Sequence, residues 1–360
     1  MPLLPSILTP SSRTQQPFVL LQSSTVTSCL PIIRSLTCSI PSKTLLKRHI
    51  ILFSFLYPPE RLVNLPHLQP QGVELQIHDW TDRVLGYSDD VFPKGIAEDV
   101  MKIVDIVPKD EPFDVVIDSA DTLLDTIPSV SKVYNLLFEV LSKVKAGAST
   151  SRLIVHIHAP SPLIPLLSQT RFSSSLTHLI AHPPILLTHL STSYFTPPPP
   201  LSPPEKFWSV FTPISERLYE SEKLVFGSEG EGHAGNDIVV EVIIRGGGSE
   251  GGRKRGVEKV LEGWIGEQGR PCELSVLESL KNVFMRKTVM EEAAPDPTQN
   301  VSFNLHLTPD QERSRAQVPL PYAHEGQGIQ VPVQTPGAIL YDPDSADDID
   351  DDDPDEDLDI

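Results

Sequence analysis

Apolar positions along this chain follow two rhythms, short unbroken runs and helical repeats, and they alternate through its middle. Between Pro112 and Asp121 the run Phe113-Asp-Val-Val-Ile117 gives way to Asp118-Ser-Ala-Asp121. A short, nearly continuous apolar run rich in β-branched residues predicts a central strand of a parallel sheet, buried on both faces. Asp118, Ser119 and Asp121 then stand at its carboxyl end, where open α/β sheets place their ligand sites. After Pro128, Val130, Val133, Leu137, Val140, Leu141 and Val144 recur at helical spacing with Gly147 beyond them, which predicts a helix over 129–145. A strand over 152–158 follows, and strand, helix, strand in that order implies a parallel sheet.

The same reading predicts strands over 17–22, 49–56 and 73–78, a helix beginning within 29–36, a short helix around 96–104 and a helical turn at 163–167. Residues 178–190 read as one or two further short strands, and Pro197 to Pro200 with Pro203 and Pro204 as an extended interruption. Apolar runs at 237–245 and 257–265, separated by a glycine-rich stretch, predict a long-looped hairpin. Over 287–297 the chain turns polar and loses periodicity, which marks a domain boundary. The alternation of Val301-Ser-Phe-Asn-Leu-His-Leu307 and the capping box Thr308-Pro-Asp-Gln311 predict an isolated short strand and helix that dock on the domain or on a partner. The expected organisation is a loose leader over 1–16, one α/β domain over 17–286, a docking tail over 287–341 and an acidic, largely disordered tail over 342–360.

Composition sharpens this picture. The 360 residues are 39% hydrophobic, enough for a real core, while 36 prolines place a good part of the chain outside packed sheet. The formal charge of −19 is mostly a tail, since residues 342–360 hold 12 carboxylates and no cation, leaving −7 elsewhere. Three cysteines, Cys29, Cys38 and Cys272, form no C-x-x-C pair and fit a reducing compartment. The first residues lack a secretory pattern, and no apolar run approaches the roughly 20 residues of a membrane span; a cytoplasmic and nuclear location is expected. At the first strand–helix junction, Ser23-Ser-Thr-Val-Thr-Ser28 has neither the glycines nor the lysine of a phosphate loop.

Candidate chemistry is sparse. Arg253, Lys254 and Arg255, with Arg245 and Lys259 nearby, form the densest cationic cluster, on a glycine-rich loop suited to RNA phosphates; the alternative is a solvated loop pairing with the acidic tail. His156 and His158 share one face of a strand without an evident third ligand and read as core histidines. His178 and His182 are spaced i, i+4, but Pro183 and Pro184 argue against a helix there. No catalytic, cofactor-binding or metal-ligating set is expected. The acidic tail solubilises, mimics nucleic-acid phosphate, or docks through Leu358 and Ile360 on a basic partner.

Several stretches carry a family likeness: Val116-Ile-Asp-Ser-Ala-Asp121, Arg245-Gly-Gly-Gly248 with Arg253-Lys-Arg-Gly-Val-Glu-Lys-Val-Leu-Glu-Gly-Trp264, Val301-Ser-Phe-Asn-Leu-His-Leu-Thr308 with Arg315-Ala-Gln-Val-Pro-Leu-Pro-Tyr322, and Asp352-Asp-Pro-Asp-Glu-Asp-Leu-Asp-Ile360. Together they resemble the fungal fifth subunit of the Elongator complex. The resemblance implies a RecA-like domain without its phosphate loop, assembled with two related subunits into a hexameric ring. Further implied partners are the catalytic and scaffold subunits of Elongator and tRNA, whose wobble uridine the complex modifies at carbon 5. In such a fold Asp118 would occupy the place of a magnesium-coordinating aspartate; otherwise it caps the next turn. Other classes remain open: a nucleoside triphosphatase at a ring interface, or an acidic-tailed adaptor of transcription machinery.

Overall fold

The structure is a computed structural model describing residues 2–8, 16–38, 48–63, 73–82, 95–108, 110–227, 237–246, 256–285 and 309–317. The chain divides into two units, Met1–Ala294 and Pro295–Ile360.

In the first unit, nine strands form one sheet among the described residues: β1 (Phe18–Ser23), β2 (Arg48–Ser54), β3 (Val73–Asp79), β4 (Phe113–Ile117), β5 (Arg152–His158), β6 (Leu176–His182), β7 (Ile238–Arg245), β8 (Val257–Ile265) and β9 (Arg270–Cys272). Their order is β3-β2-β4-β5-β1-β6-β7-β8-β9. Pairing is parallel from β3 to β6 and antiparallel from β6 to β9. This is the expected α/β class with a mostly parallel sheet, and β4 lies inside it, as its unbroken apolar run implies.

Alternation along each strand divides the core between two faces. Phe18 and Leu20 of β1, Val115 and Ile117 of β4, and Val155 and Ile157 of β5 pack with α4 (Ile96–Ile106), α5 (Ala120–Thr126), α6 (Val130–Ala146) and α7 (Ile164–Leu167). Val19, Leu21, Leu52, Val116 and Ile154 face the other way, onto α1 (Leu4–Leu8), α2 (Leu30–Cys38) and α3 (Pro59–Leu62). A third cluster joins α8 (Pro184–Ser193) and α9 (Pro204–Ser215) to Val239 and the 3₁₀ turns Leu274–Val276 and Glu278–Leu280. Helix α10 (Leu218–Phe226) follows.

Three elements differ from expectation. Part of the leader is built into the fold: α1 is buried through Leu4, Ile7 and Leu8. Residues 184–193 are helical, because Pro184 sits in the first turn of α8, where the missing N–H of proline costs nothing. Residues 204–215 start the same way at Pro204. The hairpin is present, pairing Ile238 with Trp264 through Arg245 with Val257. In the second unit, α11 (Pro309–Ala316) begins at Pro309 as the capping box predicts. The predicted strand over 301–307, the islands near 318–341 and the acidic tail lie outside the described residues.

Candidate functional site

The connection after β1 leads towards β2 on one side, whereas β5 connects across β1 to β6 on the other. The carboxyl ends of β1, β5, β4 and β2 therefore meet where the winding changes direction, the place at which such sheets bind ligands. Here that place is filled by the chain's own polar groups.

His156 on β5 is fully buried. Its Nδ1 stands 2.6 Å from the carbonyl oxygen of Asp118. A carbonyl only accepts, so Nδ1 carries the proton. Burial lowers the pKa of this ring to about 4, which leaves it neutral at pH 7 and makes Nε2 an acceptor. The Ser23 hydroxyl, 2.6 Å from Nε2, must then donate. Its oxygen accepts in turn from the Cys29 N–H at 2.8 Å.

The Asp118 carboxylate faces the other way and accepts from the backbone N–H groups of Phe55, Leu56 and Tyr57 at 2.7, 2.9 and 2.8 Å. Burial raises its pKa, and those three hydrogen bonds oppose the rise. The Tyr57 ring lies 6.1 Å from that of His156, and His158 N–H donates to Asp121.

The junction between β1 and α2 closes on itself in the same manner. Ser24 Oγ accepts from Val26 and Thr27 N–H, Ser28 Oγ from Leu30 N–H, and the Ser24 N–H donates to the Thr27 carbonyl. A phosphate loop leaves such N–H groups free for phosphate oxygens; this junction supplies serine oxygens in their place. The serine–histidine contact has the geometry of a nucleophile and its base, yet Ser23 and His156 are buried and the Asp118 carboxylate is engaged elsewhere. The Cys29 thiol is likewise unreactive, its pKa pushed by burial to about 12.

Two residues of the expected cationic cluster, Arg245 and Lys259, are engaged within the fold. The Arg245 guanidinium donates to the carbonyls of Ser168 and Ser173, the latter at 2.9 Å. Lys259 pairs with Glu241 at 2.8 Å, donates to Thr212 and lies 4.3 Å from the Trp208 ring centre. Glu241 also holds His182 at 2.8 Å, so this carboxylate sits between two donors that keep its pKa low despite burial. Both candidate residues thus fasten the antiparallel half of the sheet to its surroundings. Arg253, Lys254 and Arg255 lie outside the described residues. Among the described residues no cluster of three or more His, Cys, Asp or Glu side chains is arranged to hold a metal ion, and no helix is long and apolar enough to cross a membrane.

A family model described as Elongator subunit Iki1 matches residues 3–342. The chain belongs to the Elongator subunit Iki1 family. Elongator complex protein 5 of Rattus norvegicus is 41% identical over 70 residues, 18% of this chain and 22% of that protein. The Homo sapiens protein of the same name is 40% identical over 70 residues, 18% of this chain and 23% of its own. These alignments span less than a quarter of the relatives' length. A KaiC-like protein of Pyrococcus horikoshii superposes at a TM-score of 0.34 with 8% identity, over 69% of this chain and 85% of its own.

What sequence reasoning missed is the bond between Ser23 and His156. The two residues stand 133 positions apart, and only the adjacency of β1 and β5 brings them together. A histidine alternating with buried aliphatics on a strand was the one available signal, and its expected role as a core histidine bonded to backbone holds.

Proposed function

We propose that this member of the Iki1 family is a non-catalytic, structural subunit of an accessory RecA-like hexameric ring of Elongator. In this reading it assembles with two related subunits, contacts tRNA, and supports modification of the wobble uridine at carbon 5 in the cytoplasm and nucleus. The Elongator catalytic and scaffold subunits are further partners, and the chemistry belongs to the former.

Closure of the β1–α2 junction by Ser23, Ser24, Ser28 and His156 is the observation that carries the non-catalytic part. At the usual ligand end of the sheet the Ser23, Ser24 and Ser28 hydroxyls, the His156 ring and the Asp118 carboxylate already have partners in the chain, so a triphosphate would have to displace bonds the fold depends on. Family membership carries the complex. RNA contact is assigned to Arg253, Lys254 and Arg255, because Arg245 and Lys259 are engaged internally.

The test is complementation. In a host lacking its own fifth Elongator subunit, this chain restores the carbon-5 group on wobble uridine, measured by mass spectrometry of tRNA nucleosides, and Asp118→Asn restores it too wherever it folds. Failure of the unaltered chain overturns the assignment to Elongator. Loss of modification in a folded, assembled Asp118→Asn variant favours the nucleoside triphosphatase alternative.

A further inference from the structure

The charge of the chain is divided unevenly. Residues 1–73 hold six arginines and lysines and the single carboxylate Glu60, a net of +5, whereas the remainder holds 23 cations and 47 carboxylates, a net of −24. Arg48 is consumed by a buried pair with Asp114. Two others in this basic portion, Arg34 on α2 and Arg61 on α3, are exposed and have no ion pair among the described residues.

The fold brings these two together. Thr37 of α2 donates to the carbonyl of Leu62 at 2.8 Å, joining the two helices. Beside them the turn after β8 is held by the Gly269 N–H on the Ile265 carbonyl. A cavity of about 700 Å³ lies between, and Arg34, Arg61, Ser35 and residues 266–269 are among its walls. It places two guanidiniums against one carboxylate, Glu267.

We infer that Arg34 and Arg61, in the cleft formed by α2, α3 and the β8–β9 turn, bind phosphates of an RNA backbone. The inference rests on the Elongator reading for the identity of the polyanion. Guanidinium forks match phosphate oxygens two at a time. On a chain of net charge −19, RNA is repelled by most of the surface and admitted where the field is locally positive. Among the described residues no aromatic side chain lines the cleft, so the base of a mononucleotide gains no stacking from them, whereas backbone phosphates require only the cations.

The experiment uses the full chain assembled with its co-expressed ring partners and measures binding of a fluorescent tRNA by anisotropy across a salt series. The forms compared are the unaltered protein, the Arg34→Gln, Arg61→Gln pair and the Arg253→Gln, Lys254→Gln, Arg255→Gln triple. The pair should weaken binding about tenfold and make the salt dependence shallower by about two counterions. Because both side chains are exposed, its thermal midpoint should stay that of the unaltered protein. Unaltered affinity in the pair, with loss in the triple, overturns this site and leaves tRNA binding standing. No tRNA binding by the unaltered assembly overturns both. Displacement of tRNA by ATP at matched phosphate concentration marks a mononucleotide pocket and overturns the RNA assignment.

Discussion

At the amino ends of β2, β4 and β5, Asp114 is buried between two arginines. Its carboxylate lies 2.6 Å from an Arg48 nitrogen and 2.9 Å from one of Arg152. Burial works against its charge, but the guanidiniums hold its pKa below the usual carboxylate range. Asp114→Asn keeps the shape and strands two buried cations, so chemical denaturation should show a loss of about 3–5 kcal/mol. The histidines provide a separate signature. Burial lowers both His156 and His178 from 6.5 to about 4. A depressed pKa means the unfolded chain takes up protons first, so the stability these rings contribute is complete above pH 6.5 and is lost as pH falls towards 4. Each ring adds about 1.4 kcal/mol per pH unit to that slope. His156→Gln should therefore flatten the fall in stability between pH 6.5 and 4 by about one proton; a slope unchanged from that of the unaltered chain would refute the buried neutral ring.

Helix α1 is held to the sheet by groups from distant elements. Arg152 Nη1 donates to the Ile7 carbonyl at 2.8 Å, and the Glu262 carboxylate of β8 accepts from the N–H groups of Leu3 and Leu4. Leu4 is fully buried. Leu4→Asp, which would bury an unpaired carboxylate, should expel α1 and lower the thermal midpoint, with residues 2–8 becoming sensitive to limited proteolysis. On β8, a Cβ at Gly263 would come within 2.7 Å of Cys272 Sγ and 3.0 Å of Leu277; Gly263→Ala should cost about 1–3 kcal/mol by overpacking. Elements with a long or pure apolar rhythm were legible in the sequence: β4, α6, β5 and the β7–β8 hairpin. The misread ones are α1, five residues with Pro5 inside it, and α8 and α9, whose opening prolines look like breakers until the first turn is known to tolerate them. The candidate site was half legible. Loss of the phosphate loop can be read from Ser23 to Ser28, but its replacement by a side-chain network depends on strands that meet only in the fold.

Over the whole molecule, a partly parallel sheet with its ligand end closed by its own residues is joined to a basic first portion and an acidic end. In the function proposed above, such a chain serves assembly and contact with a polyanion. Membership in the Elongator subunit Iki1 family supports the proposal that it does so within a ring. The most direct test is to co-express the full chain with the two related subunits proposed for the ring and weigh the purified product by light scattering. The account predicts a single species with the mass of six subunits that contains this chain; a chain that remains monomeric beside those partners would contradict it.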